Sequence, residues 1–160
     1  MGNISKVEEL EQQIVDAGIN LYDYPFKSDK LKGITYISKG QKNIGISKKV
    51  NTMSERLTIL SEELSHCEIS CGNVTADNAE EHKARFKSYD KLVGLEGLVN
   101  AYKHGCTDLY EFAEYFDVTY EFLIECLTAY QNRYSMPKKI NNFKISFHPT
   151  LTIEKIDIQQ

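Results

Sequence analysis

The sequence of 160 residues predicts an α+β fold, in which strands and helices occupy separate stretches of the chain. Three observations lead to this prediction. First, two short segments with the composition of strands follow an initial helical segment. Second, the middle of the chain has apolar residues at helical spacing. Third, apolar and polar residues alternate near the end of the chain, as in strands. The composition, 41% hydrophobic and 26% charged, is ordinary for a globular protein.

The first part of the chain predicts a helix followed by a β-hairpin. Apolar residues recur at helical spacing over Ser5–Ala17, and Gly18 marks the end of that helix. Gly33–Ser38 and Asn43–Ser47 have the composition of two short strands. The polar residues Lys39–Lys42 lie between them and suit a hairpin turn.

A second helix is predicted to begin after Thr52, which is an N-cap candidate with Glu55 three residues further on, as in a capping box. Its apolar stripe consists of Met53, Leu57, Leu60 and Leu64. After the polar segment Gly72–Asn78, Ala79–Val93 predicts a third helix.

The second helix carries the segment T-I-L-S-E-E-L-S-H-C at residues 58–67. In the motif H-E-x-x-H, two zinc ligands four residues apart share one helix face, and the glutamate after the first ligand is the general base. Here Glu62 and His66 occupy the ligand positions and Glu63 occupies the base position. A carboxylate also ligates zinc, so the pattern is compatible with a metal site. A solvated acidic helix face is the alternative interpretation.

Further ligands are available by residue type. A zinc site of this kind takes a third ligand from another segment, and Glu80, Glu81 and His82 at the start of the third helix all qualify. Spacing alone does not choose among them. Cys67 and Cys71 are also four residues apart, but they fall on the leucine side of their helix, which favours packing in the core.

These segments, in this order, resemble the ImmA/IrrE family of bacterial and phage metallopeptidases. Its members pair an H-E-L-G-H helix with a downstream E-x-x-A-[NR] helix, and its phage and mobile-element branch often has E-E-L-G-H. The second motif matches residues 81–85, E-H-K-A-R. The resemblance extends over about residues 10–134. The chain departs from the family pattern at Glu62 in place of histidine, Ser65 in place of glycine and Gly94 in place of proline.

The resemblance implies a metallo-endopeptidase, a hydrolase that cleaves a repressor-type regulatory protein with a helix-turn-helix. It implies Glu62, His66 and Glu81 as metal ligands and Glu63 as the base that takes a proton from the attacking water. The cofactor is expected to be zinc. Because two carboxylates carry more negative charge than one, manganese is also possible. His82 is either a neighbour that assists the site or a solvent-facing residue.

The resemblance and the segment pattern together predict three parts. Residues 1–94 form a zincin-like metallopeptidase core with a small β-hairpin and an active-site helix. Residues 95–135 form a helical, helix-turn-helix-like subdomain, and residues 136–160 form an extended tail or a β-hairpin. Within that last part, Phe143–Phe147 and Leu151–Ile158 alternate apolar and polar residues, and His148–Thr150 suits a turn.

The helix-turn-helix-like segment does not suit DNA. One helix is predicted to end near Phe116, with a turn at Asp117–Val118 and a second helix capped by Thr119. Residues 107–126 contain six acidic side chains and no basic one, whereas base and phosphate contacts need cationic or amide groups. We therefore expect a packing unit or a protein-docking surface, with no direct binding of nucleic acid.

Charge and cysteine usage limit the binding partners and the cellular compartment that we expect. The formal net charge of -4 argues against affinity for nucleic acid or anionic membranes. No apolar run is long enough for a membrane span, and the first 20 residues lack the apolar core of an export signal. The four cysteines, Cys67, Cys71, Cys106 and Cys126, form no disulfide framework, which suits reduced thiols in the cytoplasm.

A second hypothesis for the function is that the chain is a family member of weak or no catalytic activity, which regulates by binding a protein.

Overall fold

A computed structural model describes residues 4–69 and 78–157 and confirms a mixed α+β fold. The helices are α1 (Lys6–Asp16), α2 (Met53–Ile69), α3 (Asn78–Leu92), α4 (Leu95–His104), α5 (Leu109–Phe116) and α6 (Tyr120–Arg133). The strands are β1 (Asn20–Tyr24), β2 (Gly33–Ser38), β3 (Gln41–Ser47), β4 (Lys138–Ile140), β5 (Phe143–Ser146) and β6 (Thr152–Lys155). Among the described helices, none has the length and apolar character that crossing a membrane requires.

The chain divides into two compact units, Met1–Ser88 and Tyr89–Gln160. In the first unit, a three-stranded sheet has the order β1-β3-β2, with β1 parallel to β3 and β2 antiparallel to β3. The central strand β3 is buried from Asn43 to Ser47, whereas β1 is mostly exposed. Helices α1 and α2 pack on each other and on this sheet.

Local signals set the ends of the elements in the first unit. Ser5 caps α1 in a complete capping box with Glu8, which was not predicted. The turn between β2 and β3 consists of Lys39 and Gly40, both with positive φ, which is the geometry of tight hairpin turns. Thr52 accepts a hydrogen bond from the backbone N–H of Glu55, as expected for the cap of α2.

The predicted apolar stripe of α2 is correct at three of its four positions. Leu57, Leu60 and Leu64 are buried, but Met53 is 56% exposed. Met53 is the first residue of α2, and the expectation that it belongs to the buried stripe was wrong. Cys67 is buried on the leucine side as predicted, while Cys71 and most of the predicted break at Gly72–Asn78 lie outside the described residues.

The second unit contains α4–α6 and a second three-stranded sheet with the order β4-β5-β6, all antiparallel. The hairpin of β5 and β6 confirms one of the alternatives for residues 136–160, and β4 adds a strand that the sequence pattern does not predict. Helix α5 ends at Phe116, Asp117 adopts a left-handed conformation, and Thr119 caps α6, as predicted. The core includes Leu98, Leu123, Tyr130 and Ile145.

One departure from the family pattern has a conformational reason. Gly94, which precedes α4, has a φ of 67°. Proline, whose φ is fixed near -65°, cannot adopt this conformation. A glycine at this position therefore permits a turn between α3 and α4 that a proline would exclude.

Candidate metal centre

Helix α2 has its leucine side in the core and a polar site on the other side. Leu60 and Leu64 are buried, and at about 100° per residue Glu62 and His66 lie far around the helix from them. Glu63 lies at the flank of the helix, where it contacts β2. Ser65, which stands in place of the family's glycine, is fully buried, and its hydroxyl donates to the backbone carbonyl of Ser61 at 2.7 Å. The helix accommodates this polar side chain by satisfying it internally.

Helix α3 contacts α2 through a buried hydrogen bond and an ion pair near the surface. The hydroxyl of Ser88 donates to the hydroxyl of Ser61 at 3.0 Å, and both side chains are buried. Near the surface, the ammonium of Lys87 lies 2.7 Å from a carboxylate oxygen of Glu68. These contacts place the first turn of α3, with Glu81, beside the polar face of α2.

Glu62, His66 and Glu81 converge on one point. Each offers a ligand atom, and these atoms all lie within 4.8 Å of one another. The Nε2 atom of His66 is 3.2 Å from Oε2 of Glu81. All three residues are partly buried. The group could therefore hold a metal ion, since two carboxylate oxygens and one imidazole nitrogen form a donor set that suits zinc and manganese.

Arg85 lies on the outer side of this group. Its Nε atom is 2.7 Å from Oε1 of Glu81, which is four residues earlier on the same helix, and 3.5 Å from Oε1 of Glu62. The guanidinium thus joins a carboxylate of α3 to a carboxylate of α2. The motif that residues 81–85 resemble includes this position, but no role was predicted for its side chain.

Glu63, the predicted base, is held between α2 and strand β2. The hydroxyl of Thr35 donates to Oε2 of Glu63 at 2.7 Å. Burial of the carboxyl raises the pKa of Glu63 to about 7, the Thr35 hydrogen bond opposes this rise, and the nearby charges of Glu62 and Glu81 add to it. A carboxyl with a pKa near neutrality is suited to accept and return a proton.

Two residues of β2 shape this environment and were missed from the sequence. A side chain at Gly33 would begin 2.7 Å from Oε1 of Glu63 and 2.7 Å from Cγ2 of Ile59, so only glycine lets the strand lie this close. Gly33 and Thr35 share one face of the strand because side chains alternate. In the segment G-I-T-Y-I-S of β2, neither residue carries a local signal that links it to Glu63.

The other candidates lie apart from the donor group. Glu80 and His82 flank Glu81 in sequence but do not belong to the cluster found among the described residues, and His82 is exposed. Cys67 is a buried free thiol whose Sγ lies 3.9 Å from the Thr35 hydroxyl, and burial raises its pKa. A neutral, buried thiol packs in the core and does not ligate metal.

Comparison with known proteins adds no relative: no family model, no curated protein and no solved structure matches this chain.

Proposed function

We propose that this chain is a zinc-dependent metallo-endopeptidase that cleaves a repressor-type regulatory protein, in the manner of the ImmA/IrrE family it resembles. The convergence of Glu62, His66 and Glu81 from two helices is the observation that supports the proposal. Glu63, beside them in sequence, is a buried carboxyl whose pKa is raised in the metal-free protein, as is typical of functional sites. Within this proposal the first unit is a zincin-like core, and α4–α6 form a helix-turn-helix-like subdomain.

The side chains divide the work of peptide hydrolysis. Glu62, His66 and Glu81 would hold the ion, and three protein ligands leave a position open, as catalytic zinc sites require. Bound zinc would supply a Lewis acid that polarises the scissile carbonyl and makes the attacking water more acidic. Glu63 would accept a proton from the attacking water and return it to the leaving amine.

The position of Glu63 suits this role. Its Oε2 atom is occupied by the Thr35 hydroxyl, which fixes the orientation of the carboxyl group. A fixed base loses less entropy when it meets the attacking water, so its geometry contributes to the rate. Because the donor set contains two carboxylates, we also expect the site to accept a harder ion such as manganese.

The proposed substrate is a helix-turn-helix repressor of a phage or mobile element, and the proposed setting is the cytoplasm. The support is the resemblance of residues 58–67 and 81–85 to the two family motifs. The acidic character of residues 107–126 is compatible with a protein partner and unfavourable for nucleic acid.

Metal analysis of the purified protein tests the first half of the proposal. We expect about one zinc or manganese ion per chain and its loss in Glu81→Ala. Glu80→Ala is the matched control, since it removes a neighbouring carboxylate that is not in the cluster. A wild-type protein that binds neither ion would refute the proposed metal site.

Cleavage of a repressor encoded beside this gene tests the second half. Incubation of the two proteins should yield defined fragments. Glu63→Gln should abolish cleavage while it preserves the fold and metal binding, because only the base is removed. Full cleavage by Glu63→Gln would contradict the assigned role.

A second candidate function is protein binding without catalysis. One observation favours it: Glu62 and Glu81 already have polar neighbours in Arg85 and His66, so the two carboxylates have partners without a metal ion. A metal-free protein that retains full regulatory activity would support this candidate, whereas loss of regulation in Glu63→Gln would support the peptidase.

A further inference from the structure

Arg85 contacts both acidic members of the donor group from outside it. Its Nε atom lies 2.7 Å from Oε1 of Glu81 and 3.5 Å from Oε1 of Glu62. The opposite oxygen of Glu81, Oε2, lies 3.2 Å from Nε2 of His66. The two oxygens of Glu81 therefore have different neighbours, the guanidinium of Arg85 at Oε1 and the imidazole of His66 at Oε2.

We propose that Arg85 is a positioning residue for the metal ligands, an inference that rests on the metal site of the proposed function. Its Nε–H donates to Oε1 of Glu81 and lies close to Oε1 of Glu62. With Oε1 of Glu81 held in this way, the other oxygen of the same carboxylate lies beside Nε2 of His66. Hydrogen-bonding partners of this kind fix the orientation of metal-ligating carboxylates.

Charge gives a second reason for an arginine here. A set of one carboxylate and two neutral histidines has a net charge of -1, whereas Glu62, Glu81 and a neutral His66 together carry -2. The guanidinium of Arg85 returns the local total to -1. Two carboxylates this close repel each other, and the shared cation reduces that repulsion before any metal binds. Arg85 thus offsets part of the negative charge of Glu62 and Glu81.

The same positive charge also repels a divalent ion, and the exposure of the side chain decides which effect is larger. The Arg85 side chain is 47% exposed, so water and salt screen its repulsion of the ion. The hydrogen bond at 2.7 Å that orients Glu81 is a short-range contact, which screening affects much less. We therefore expect orientation to dominate.

Zinc affinity of the full chain tests this inference. Arg85→Gln removes the charge and the forked donor, and its dissociation constant for zinc should rise about 10- to 100-fold. Arg85→Lys restores a cation with N–H donors and should bind zinc more tightly than Arg85→Gln. Lys83→Gln is the matched control, because it removes an exposed cation of the same helix at the same cost in net charge. Circular dichroism of each metal-free variant verifies the fold.

The outcomes separate the two proposals. Wild-type and Lys83→Gln proteins with equal affinity, together with weaker binding by Arg85→Gln, support the positioning role. Equal or tighter binding by Arg85→Gln would overturn it while the metal site stands. The same loss in Lys83→Gln, or no recovery in Arg85→Lys, would also overturn it. A wild-type protein that binds neither zinc nor manganese would refute the metal site and this inference together.

Discussion

The buried carboxyl of Glu63 should make the stability of the metal-free protein depend on pH. Burial raises the pKa of Glu63 from 4.5 to about 7 in the folded protein. The folded state therefore retains this proton more strongly than the unfolded state. Between pH 4.5 and 7 the unfolded chain loses the proton first, so the free energy of unfolding falls as the pH rises. Well below pH 4.5 Glu63 is protonated in both states, so its burial no longer lowers the free energy of unfolding.

The size of the effect follows from the two pKa values. The difference between 4.5 and about 7, at about 1.4 kcal/mol per pKa unit, corresponds to a loss of about 3 kcal/mol that is complete above pH 7. Glu63→Gln removes the titrating group and keeps an amide oxygen that can accept from Thr35. Relative to wild type, this variant should thus gain about 3 kcal/mol between pH 4.5 and pH 8.

Urea unfolding in the presence of a chelator, at several pH values from 4.5 to 8, measures this difference. Subtracting the variant from the wild type cancels the titration of all other groups. Glu9→Gln, the same substitution at an exposed carboxylate of α1, controls for the substitution itself. If the difference between wild type and Glu63→Gln stayed constant over this range, the burial argument for Glu63 would be wrong.

Three further substitutions test the surroundings of the site and the second core, each by urea unfolding. Thr35→Val should lower the free energy of unfolding by about 1–3 kcal/mol, and by more at pH 8 than at pH 5, because the lost hydrogen bond favours the ionised form of Glu63. Thr35→Ser, which keeps the hydroxyl, should leave the stability nearly unchanged. A loss in Thr35→Val that does not depend on pH would contradict the hydrogen bond. Gly33→Ala should cost about 1–3 kcal/mol because its Cβ would meet Glu63 and a neighbouring isoleucine at 2.7 Å, and an unchanged stability would contradict this close approach. Tyr130→Phe removes the 2.7 Å hydrogen bond to Asp90 and should lower the free energy of unfolding by about 1 kcal/mol. The loss is small because Asp90 is exposed, so water can take the place of the hydroxyl. A loss above about 3 kcal/mol would contradict that replacement.

The elements that depend on local signals could be predicted from the sequence. The hairpin of β2 and β3 follows from its turn residues, and α5 and α6 follow from their caps. Strand β1 (Asn20–Tyr24) was not predicted because its side chains are mostly exposed and its pairing is with β3, more than 20 residues away in the chain. Exposed strands lack the clear apolar alternation on which such a prediction depends.

In the candidate site, too, the features that depend on local sequence could be predicted, whereas those that depend on contacts distant in the chain could not. The spacing of Glu62 and His66 on one helix is a local property and could be predicted directly. The residues alone did not distinguish Glu81 from Glu80 and His82, and only the family resemblance favoured Glu81. Thr35 reaches Glu63 across 28 positions of the chain, so its contact depends on how β2 packs against α2. No local pattern encodes that contact.

Glu63 also bears on the choice between the two candidate functions. At neutral pH its buried carboxyl destabilises the fold by an amount on the order of 3 kcal/mol, and a glutamine of nearly the same shape would avoid this. A scaffold that only binds a partner gains nothing from such a carboxyl. A hydrolase uses it, because a carboxylate beside the metal ligands is the group that takes the proton from the attacking water. Destabilising groups of this kind are typical of active sites, and on this ground we favour the peptidase over the binding scaffold.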